Sequence, residues 1–425
     1  MMITDKHIAE FNSTLKSEHE KDFNHLEAKL SGKGIDVSKV ISNLAKFQVA
    51  IPSWALGTGG TRFGRFPGGG EPGSLEEKIK DVGLLHKLNA SSGAISLHIP
   101  WDIPENADAI KSLASEHNLV FDAVNSNTFQ DQPDAKVSYK FGSLCHTDVQ
   151  VRNAAIAHNK EVIDYGKELN SKALTVWLAD GSTFPGQSNF REAFGRTYDS
   201  LADIYSHLPD DWKVLVEYKP YEPNFYSMVI PDWGTSHLLA SKLGNKALTL
   251  VDLGHHLPNT NIEQIVSILM MQEKLGGFHF NDSKYGDDDL TVGSLKPYQL
   301  FLIFCELVDG MNHTGNPELS WMIDASHNVK DPLEDLLQSV EAILLAYAQA
   351  QIIDWKGLKQ AQEANDVSAA QEILQEGYRT DVRSLVAQSR LQQGAAINPI
   401  SLYRNSNVRQ QLIDLRGKTS TSTGL

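Results

Sequence analysis

The stretch ALTLVDLGHHLPNTNIEQIVSILMMQEKLGGFHFND, from Ala247 to Asp282, carries the pattern that decides the fold. Two short apolar runs, ALTLVDLGHH and GGFHFND, flank a longer segment, IEQIVSILMMQEKL, in which apolar residues recur with the period of a helix. Strand, helix and strand in this order predict one unit of a parallel sheet, because the helix carries the chain back to the start of the next strand.

The same alternation extends over most of the chain and predicts eight strands. They are Lys46 to Trp54, Ala94 to Trp101, Leu119 to Asn127, Ala173 to Gly181, Lys213 to Pro220, Ala247 to His256, Gly276 to Asp282 and Ser320 to Asn328. Eight strand–helix units over roughly 300 residues predict a (β/α)8 TIM barrel, an α/β fold whose functional groups lie at the carboxyl ends of the strands.

An open doubly wound sheet is the alternative fold, and its first strand should lead directly into a glycine-rich turn of the form G-x-G-x-x-G. The glycine-rich segment of this chain, GTGGTRFGRFPGGGEPG (Gly57 to Gly73), has no such motif and is longer. We therefore favour the barrel and predict a mobile loop over its mouth, a plain surface loop being the alternative.

The composition of the chain excludes several classes of protein and indicates its compartment. The 425 residues include 38 Lys plus Arg and 53 Asp plus Glu, a net charge of −15, which argues against binding to nucleic acid. With 41% apolar residues the chain can bury a substantial core. The two cysteines, Cys145 and Cys305, suit a reducing compartment, and we find no secretory signal or membrane-length apolar run. These features predict a soluble cytoplasmic protein that needs neither nucleic acid nor membrane as a partner.

Helical patterns replace the strand pattern after Asn328. We predict a barrel with an N-terminal helical segment over residues 1–330, and a helical extension over residues 331–425. A tail of this kind is expected to pack on its own barrel or on a neighbouring subunit.

Four consecutive strands end in charged or metal-binding side chains. Glu217 and Lys219 are two residues apart and therefore share the inner face of their strand, whereas Tyr218 should face outward. Asp252, His279 and Asp324 follow on the next three strands. Three carboxylates converging in one cavity would repel one another unless a cation neutralised them, and this oxygen-rich set favours Mn²⁺, Mg²⁺ or Co²⁺ over Zn²⁺.

A second metal site adjoins the first in this interpretation. His255 lies three residues after Asp252, and Asp287 and Asp289 follow the seventh strand. These residues could hold a second divalent ion, with Asp252 bridging the two ions. A solvated turn is the alternative explanation for the Asp287–Asp289 run.

Aromatic residues accompany the acidic ones at the strand ends. Trp54, Trp101 and Trp177 could form apolar walls of a ligand pocket, although packing in the core is the alternative. His98, with Asp102 four residues later, could transfer protons to a ligand, because imidazole titrates near neutral pH; for a cyclic sugar this transfer would open the ring at its ring oxygen. A purely structural histidine is equally compatible with the sequence.

Six motifs closely resemble the L-rhamnose isomerases of the Pseudomonas type, relatives of xylose isomerase. The motifs are IPSWALGTGGTRFGRFPG, SLHIPWD, KALTVWLADGSTFPGQSNF, LVDLGHHLPNTNIE, GGFHFNDSKYGDDDL and MIDASHNVKDP. The resemblance runs from about residue 25 to beyond residue 400. It implies a metal-dependent TIM barrel, usually tetrameric, that interconverts L-rhamnose and L-rhamnulose and also accepts aldoses such as D-allose.

The resemblance also assigns roles to residues of this chain. It places a structural metal on Glu217, Asp252, His279 and Asp324, and a catalytic metal on His255, Asp287, Asp289 and the shared Asp252. It places Lys219 beside the reacting end of the sugar, and makes Trp54, Trp101 and Trp177 walls of the pocket. Phe63 matches a residue that the family delivers from a neighbouring subunit, and Tyr218 departs from the histidine expected at its position.

Taken with the resemblance, the sequence predicts an aldose–ketose isomerase with two divalent ions per subunit, Mn²⁺ in preference to Mg²⁺ or Co²⁺. Lys219, His98 and Asp324 are the catalytic candidates, and Lys219 would stabilise charge during a metal-assisted 1,2-hydride shift. An enediol route with an acidic residue as general base is the alternative mechanism. A sugar epimerase, a barrel-type repair nuclease and a non-enzymatic sugar-binding or assembly module are the alternative functions. The charge disfavours the nuclease, and the second metal site disfavours the binding module.

Overall fold

Eight parallel strands close into a barrel, as the strand–helix alternation predicted. The computed structural model of the chain describes residues 2–56, 68–133, 135–314, 317–325 and 329–418. Its strands are β1 (Ala50–Pro52), β2 (Ala94–Ile99), β3 (Val120–Ser126), β4 (Ala173–Val176), β5 (Gly181–Ser182), β6 (Lys213–Glu217), β7 (Ser227–Met228), β8 (Ala247–Asp252), β9 (Leu275–Phe280) and β10 (Ser320–Ile323). The order around the barrel is β1, β10, β9, β8, β6, β4, β3 and β2, and the short strands β5 and β7 pair antiparallel outside it.

Both faces of the barrel strands are covered, which explains their apolar composition. Leu174 and Val176 of β4 point outward and pack in one cluster with residues of the surrounding helices. On the inner face, Leu215, Leu248 and other apolar side chains fill the lower part of the barrel. The barrel is therefore a packed core with its polar residues at one end.

Hydrogen-bonded pairing is uneven around the barrel. β9 and β10 are matched at four positions, from Gly277 with Ser320 to Phe280 with Ile323. By contrast, β1 is matched to β10 at the single position Ala50 with Met322. The barrel therefore closes through its shortest ladder, between its first and last strands.

Helices connect the barrel strands and also flank them at both ends of the chain. The helices before and between the barrel strands are α1 (Asp5–Ser31), α2 (Val37–Lys46), α3 (Leu75–Asn89), α4 (Ala107–Glu116), α5 (Val149–Glu168), α6 (Phe190–His207), α7 (Trp233–Leu243), α8 (Ile262–Met271) and α9 (Pro297–Thr314). After β10 come α10 (Pro332–Gln351), α11 (Trp355–Glu363), α12 (Val367–Arg379), α13 (Arg383–Gln392), α14 (Pro399–Asn405) and α15 (Val408–Arg416).

The helices after β10 share a hydrophobic cluster with the barrel. Phe278 of β9, Ile343 of α10, Leu385 of α13 and Ile8 of α1 all belong to it. Charged contacts hold the last helix, since Arg409 pairs with Asp331 at 2.6 Å. Within this chain, the helices after β10 therefore pack against the barrel and against α1.

The last helix also approaches the chain segment that enters α3. Arg416 binds both carboxylate oxygens of Asp81, at 2.7 and 2.8 Å, and donates a hydrogen bond to the carbonyl oxygen of Gly70 at 3.1 Å. Gly70 has a φ of 77°, and a Cβ atom there would lie 2.7 Å from the backbone nitrogen of Ile413. Glycine is therefore required at this position for α15 to dock.

Among the described residues, no individual helix combines the length and apolar composition of a membrane span. Only α10 and α11 taken together meet those criteria, and a bend of 65° separates them.

Candidate active site

The carboxyl end of the barrel gathers the predicted polar residues from four consecutive strands. Glu217 is the last residue of β6 and Asp252 the last of β8, and Asp324 follows β10 directly. His279, in β9, is the register partner of Asp252. Because parallel strands end at the same edge, residues from all four strands reach one place.

The first group of side chains is centred on His279. Its Nδ1 atom lies 3.1 Å from Glu217 Oε1, 3.7 Å from Asp252 Oδ2 and 3.9 Å from Asp324 Oδ2. The other oxygen of Asp324 accepts a hydrogen bond from Trp54 Nε1 at 2.9 Å. Ligand atoms of Glu217, Asp252 and His279 all lie within 4.8 Å of one another.

The second group shares Asp252 with the first. His255 Nε2 is 3.0 Å from Asp287 Oδ1 and 4.0 Å from Asp252 Oδ2, and these three residues again place ligand atoms within 4.8 Å of one another. His255 Nδ1 lies 3.2 Å from Glu217 Oε1, which joins the two groups. Asp289 lines the same cavity, and both Asp287 and Asp289 have left-handed backbone conformations.

The two oxygens of Asp252 have different surroundings. Oδ1 accepts hydrogen bonds from the backbone N–H of Gly254 at 2.7 Å and from Asn281 Nδ2 at 2.9 Å. Oδ2 is fully buried and has no hydrogen-bond partner among the described residues, and the same holds for Nε2 of His279. A buried carboxylate oxygen of this kind needs a cation, so the donor set fits two divalent ions that share Asp252.

The charges in the first group depend on one another. Burial opposes a charged imidazole, but Glu217, Asp324 and Asp252 together raise the pKa of His279 to about 9. Burial also opposes ionisation of Glu217, yet the two histidines keep the pKa of its carboxyl well below the usual range. For Asp324, burial and the neighbouring Asp252 and Glu217 raise the pKa. The three carboxylates therefore favour a positive charge beside them, carried by the His279 imidazolium or by a bound divalent cation.

Lys219 extends from the same side of the barrel as Glu217, as the two-residue spacing predicted. Its ammonium group is buried and contacts the carboxylates of Asp287 and Glu222. It also lies 5.1 Å from the centre of the Trp177 ring. Glu222 was missed by the sequence analysis, although its position three residues after Lys219 in the same loop was an available signal.

Aromatic rings form the opposite wall. The rings of His98 and Trp101 stack with centroids 4.2 Å apart, and Trp54 meets His98 edge-on at 5.3 Å. Phe129 lies 4.8 Å from Trp177 and continues this wall. The cavity enclosed between the aromatic wall and the acidic groups has a volume of about 540 Å³. Phe129 was not among the predicted site residues, although it is an aromatic residue two positions beyond the predicted third strand.

His98 lies in the cavity, but its chemistry differs from the expectation. Burial lowers the pKa of His98 to about 3, so the imidazole does not titrate near neutral pH. Asp102 does not bind the ring. One of its oxygens accepts hydrogen bonds from the backbone N–H of His98 and from the Ser53 hydroxyl, and the other pairs with Lys78 at 2.6 Å.

Two sequence predictions involve residues that the structure does not describe. Phe63 lies outside the described residues, as does the segment 57–67, most of the glycine-rich loop. Tyr218 is described and packs outside the barrel, where its hydroxyl lies 2.6 Å from His256 Nε2.

Comparison with known proteins places this arrangement in a family. Residues 90–327 match the family described as xylose isomerase-like TIM barrel. A "probable sugar isomerase" of Rhizobium meliloti is 50% identical over 413 residues, which is 97% of this chain and 96% of the relative. Another protein with that description, from Mesorhizobium japonicum, is 49% identical over 97% of this chain and 96% of its own.

A solved structure shows the same fold at much lower identity. The structure of an L-ribulose 3-epimerase superposes with a TM-score of 0.52 and 12% identity, and the match covers 75% of this chain and 98% of the epimerase. The fold, the family match and the long alignments lead to one conclusion: the chain belongs to the xylose isomerase-like TIM barrel family.

Proposed function

We propose that the protein is a metal-dependent aldose–ketose isomerase that interconverts L-rhamnose and L-rhamnulose. The observation that carries the proposal is one cavity that combines two carboxylate–imidazole groups, a buried lysine and an aromatic wall. The motifs shared with L-rhamnose isomerases favour this substrate. D-Allose and other aldoses are the alternative substrates, and the relatives named as probable sugar isomerases support the general reaction.

The reaction moves one hydrogen between C2 and C1 of the sugar and one proton between O2 and O1. Bound divalent ions, which we propose to be Mn²⁺ with Mg²⁺ or Co²⁺ as alternatives, supply Lewis acidity to the two sugar oxygens. Glu217, Asp252, His279 and Asp324 would hold one ion, and His255, Asp287, Asp289 and the shared Asp252 would hold the other.

Lys219 stabilises the negative charge that develops on the sugar oxygens, because its ammonium group is fixed by Asp287 and Glu222 at the edge of the cavity. In the proposed 1,2-hydride shift, hydrogen passes with its electron pair from C2 to C1 of the aldose. In the enediol alternative, a carboxylate removes the C2 proton. Solvent deuterium incorporated at C1 or C2 during turnover in D₂O would exclude the hydride shift.

The aromatic wall suits a deoxy sugar. Trp54, Trp101, Trp177 and Phe129 present apolar faces that can pack on C–H groups and on the 6-methyl group of L-rhamnose. His98, held neutral by burial, can accept or donate a hydrogen bond at the ring oxygen.

Two neighbouring aspartates provide a sharp test of the metal-dependent reaction. Asp287 belongs to the second group, whereas the carboxylate of Asp288 accepts hydrogen bonds from the backbone N–H groups of Lys284 and Tyr285. We expect Asp287→Asn to lower Mn²⁺ affinity, measured by calorimetry, and to lower ketose formation from L-rhamnose by at least about 10²-fold. Asp288→Asn should keep the Mn²⁺ affinity and the rate of ketose formation of the parent. Ketose formation that persists in excess chelator, or equal loss in the two variants, would contradict the proposal.

We also propose that the protein assembles as a homotetramer or a dimer in which Phe63 completes the neighbouring pocket. The support is the resemblance in the IPSWALGTGGTRFGRFPG motif. Phe63→Ala should raise KM for L-rhamnose without changing Mn²⁺ affinity, and light scattering should report an oligomer. A monomeric parent enzyme with full activity would exclude the shared pocket.

A further inference from the structure

Several polar side chains that line the cavity belong neither to the metal groups nor to the aromatic wall, and Thr175, on the barrel strand β4, is one of them. Thr175 lies on the inner face of β4, two residues before Trp177, and only 2% of it is exposed. It lines the 540 Å³ cavity, and its hydroxyl oxygen has no hydrogen-bond partner among the described residues. The hydroxyl is therefore buried, faces the cavity and is available to a ligand.

The neighbours of Thr175 do not require a hydroxyl. Its register partners are Leu215 on β6 and Asn125 on β3, and the Nδ2 group of Asn125 donates hydrogen bonds to the backbone oxygens of Leu97 and Ala123. Leu215, at the level of Thr175, packs with Leu248, Leu250 and Ala123. Valine has the shape of threonine and would fill this apolar layer without burying an unpaired polar group.

The position of Thr175 relative to the metal groups indicates which part of a ligand it meets. Thr175 is at the level of Leu215, which precedes Glu217 by two residues on β6, so Thr175 lies one layer of side chains below Glu217. β4 is separated from β8, which carries Asp252, by β6 alone. A sugar whose carbonyl end reaches the acidic groups would turn a carbon beyond C2 towards Thr175.

We propose that the Thr175 hydroxyl hydrogen-bonds one hydroxyl group of the bound aldose beyond C2 and thereby makes Thr175 a specificity-determining residue. This inference rests on the proposed isomerase function. A site built to pair with a substrate hydroxyl discriminates against an analogue that lacks it, because the protein group is then left buried and unpaired. The ligand class is thus an aldose that carries a hydroxyl at the facing carbon.

Deoxy sugars and isosteric variants test the inference together. The metal-loaded parent, Thr175→Val and Thr175→Ser are assayed for kcat/KM with the aldose that the parent converts best. The same assays use its analogues that lack the hydroxyl at C3, C4, C5 or C6, one at a time. We expect Thr175→Val to lose about tenfold or more on the full sugar, and Thr175→Ser to stay near the parent. For one of the deoxy analogues, kcat/KM of the parent should fall by the same factor relative to the full sugar. For that analogue, kcat/KM of Thr175→Val should equal its own value on the full sugar.

Two control measurements separate binding from structure. Mn²⁺ affinity should be equal in all three proteins, and the thermal midpoint of Thr175→Val should equal or exceed that of the parent. The inference is overturned if Thr175→Val matches the parent on every sugar, as it would if the hydroxyl bound only water. It is also overturned if, for every deoxy analogue, the factor by which kcat/KM falls in Thr175→Val multiplies the factor lost through the missing sugar hydroxyl. A thermal midpoint of Thr175→Val below that of the parent would overturn it as well. A parent that converts no aldose would instead refute the proposed function.

Discussion

The two oxygens of Asp252 show how one residue can belong to both carboxylate–imidazole groups of the cavity. Gly254 and Asn281 occupy Oδ1 and so fix the plane of the carboxylate. The second oxygen is left for the space between His279 and His255. Partners of this kind orient the ligands of a metal site and raise its affinity. The orientation of the Asp252 carboxylate thus depends on Asn281. Because Asn281 is uncharged, no charge pattern in the sequence indicates this role.

His98 should act without changing its charge. Burial holds the pKa of its imidazole near 3, so the ring is neutral from pH 5.5 to 9. We expect His98→Gln to lower kcat/KM by about 10²-fold while the pH profile keeps its shape. His313→Gln, at an exposed histidine, serves as the control. An acidic limb that is present in the parent and absent from His98→Gln would disprove this role.

The same histidine should affect stability at low pH. The unfolded chain protonates this imidazole near pH 6.5 and the folded chain only near pH 3. The unfolded state therefore binds more protons between these values, and the free energy of unfolding falls as pH drops below 6.5. His98→Gln removes this contribution, so its stability should fall less steeply with acid than that of the parent in urea titrations.

At the scale of elements, a buried ion pair connects α3 with the 3₁₀ helix Ser53–Leu56, which carries Trp54, and with the turn after β2 that carries Trp101. Lys78 of α3 pairs with Asp102, and Asp102 also binds Ser53 and the backbone of His98. Lys78 and Asp102 are both almost fully buried. The pair therefore fixes the ends of β1 and β2 relative to each other and positions the aromatic wall.

Removing the lysine should be costly, because it leaves an uncompensated buried carboxylate. We expect Lys78→Met to lower the free energy of unfolding by about 3–5 kcal/mol, measured by urea denaturation. Lys80→Met, at an exposed position of the same helix, should change it by no more than about 0.5 kcal/mol. Equal effects of the two substitutions would show that the ion pair does not hold these elements.

Sequence patterns predicted the barrel elements better than their ends. Apolar runs located all eight barrel strands, and the segment with the helical period, IEQIVSILMMQEKL, contains α8 (Ile262–Met271). The predicted strand Lys213 to Pro220 ends at Glu217, because the chain leaves the ladder where the functional loop begins. Strand ends depend on the neighbouring strand, which a single sequence does not display.

The clustering of carboxylates and imidazoles could be predicted because these residues are charged and occupy strand ends. Glu222 and Phe129 lie in the loops beyond the strands, where no period indicates direction. The interaction of Asp102 with a backbone N–H instead of an imidazole was hidden for another reason. Backbone donors are present at every non-proline residue and leave no mark in the sequence.

At the scale of the whole molecule, the last helix, α15, is bound through Arg416 to α3 and to the segment that leads into it. Only 7% of the Arg416 side chain is exposed, and it binds both oxygens of the buried Asp81. We expect Arg416→Gln to destabilise the protein by about 3 kcal/mol in urea denaturation. Arg404→Gln, which breaks a surface pair with Glu334, should leave the unfolding midpoint unchanged. Equal midpoints for the two variants would argue against a stabilising role of α15.

The single matched position between β1 and β10 has a dynamic consequence. Local opening follows the weakest hydrogen-bonded ladder, so backbone amides of these two strands should exchange with deuterium sooner than those of β8 and β9. The Trp54–Asp324 hydrogen bond spans this seam and should slow its opening. Trp54→Phe should therefore accelerate exchange in β1 and β10 selectively, which mass spectrometry of deuterated peptides can measure. Local opening of the barrel is thus expected to begin between its first and last strands.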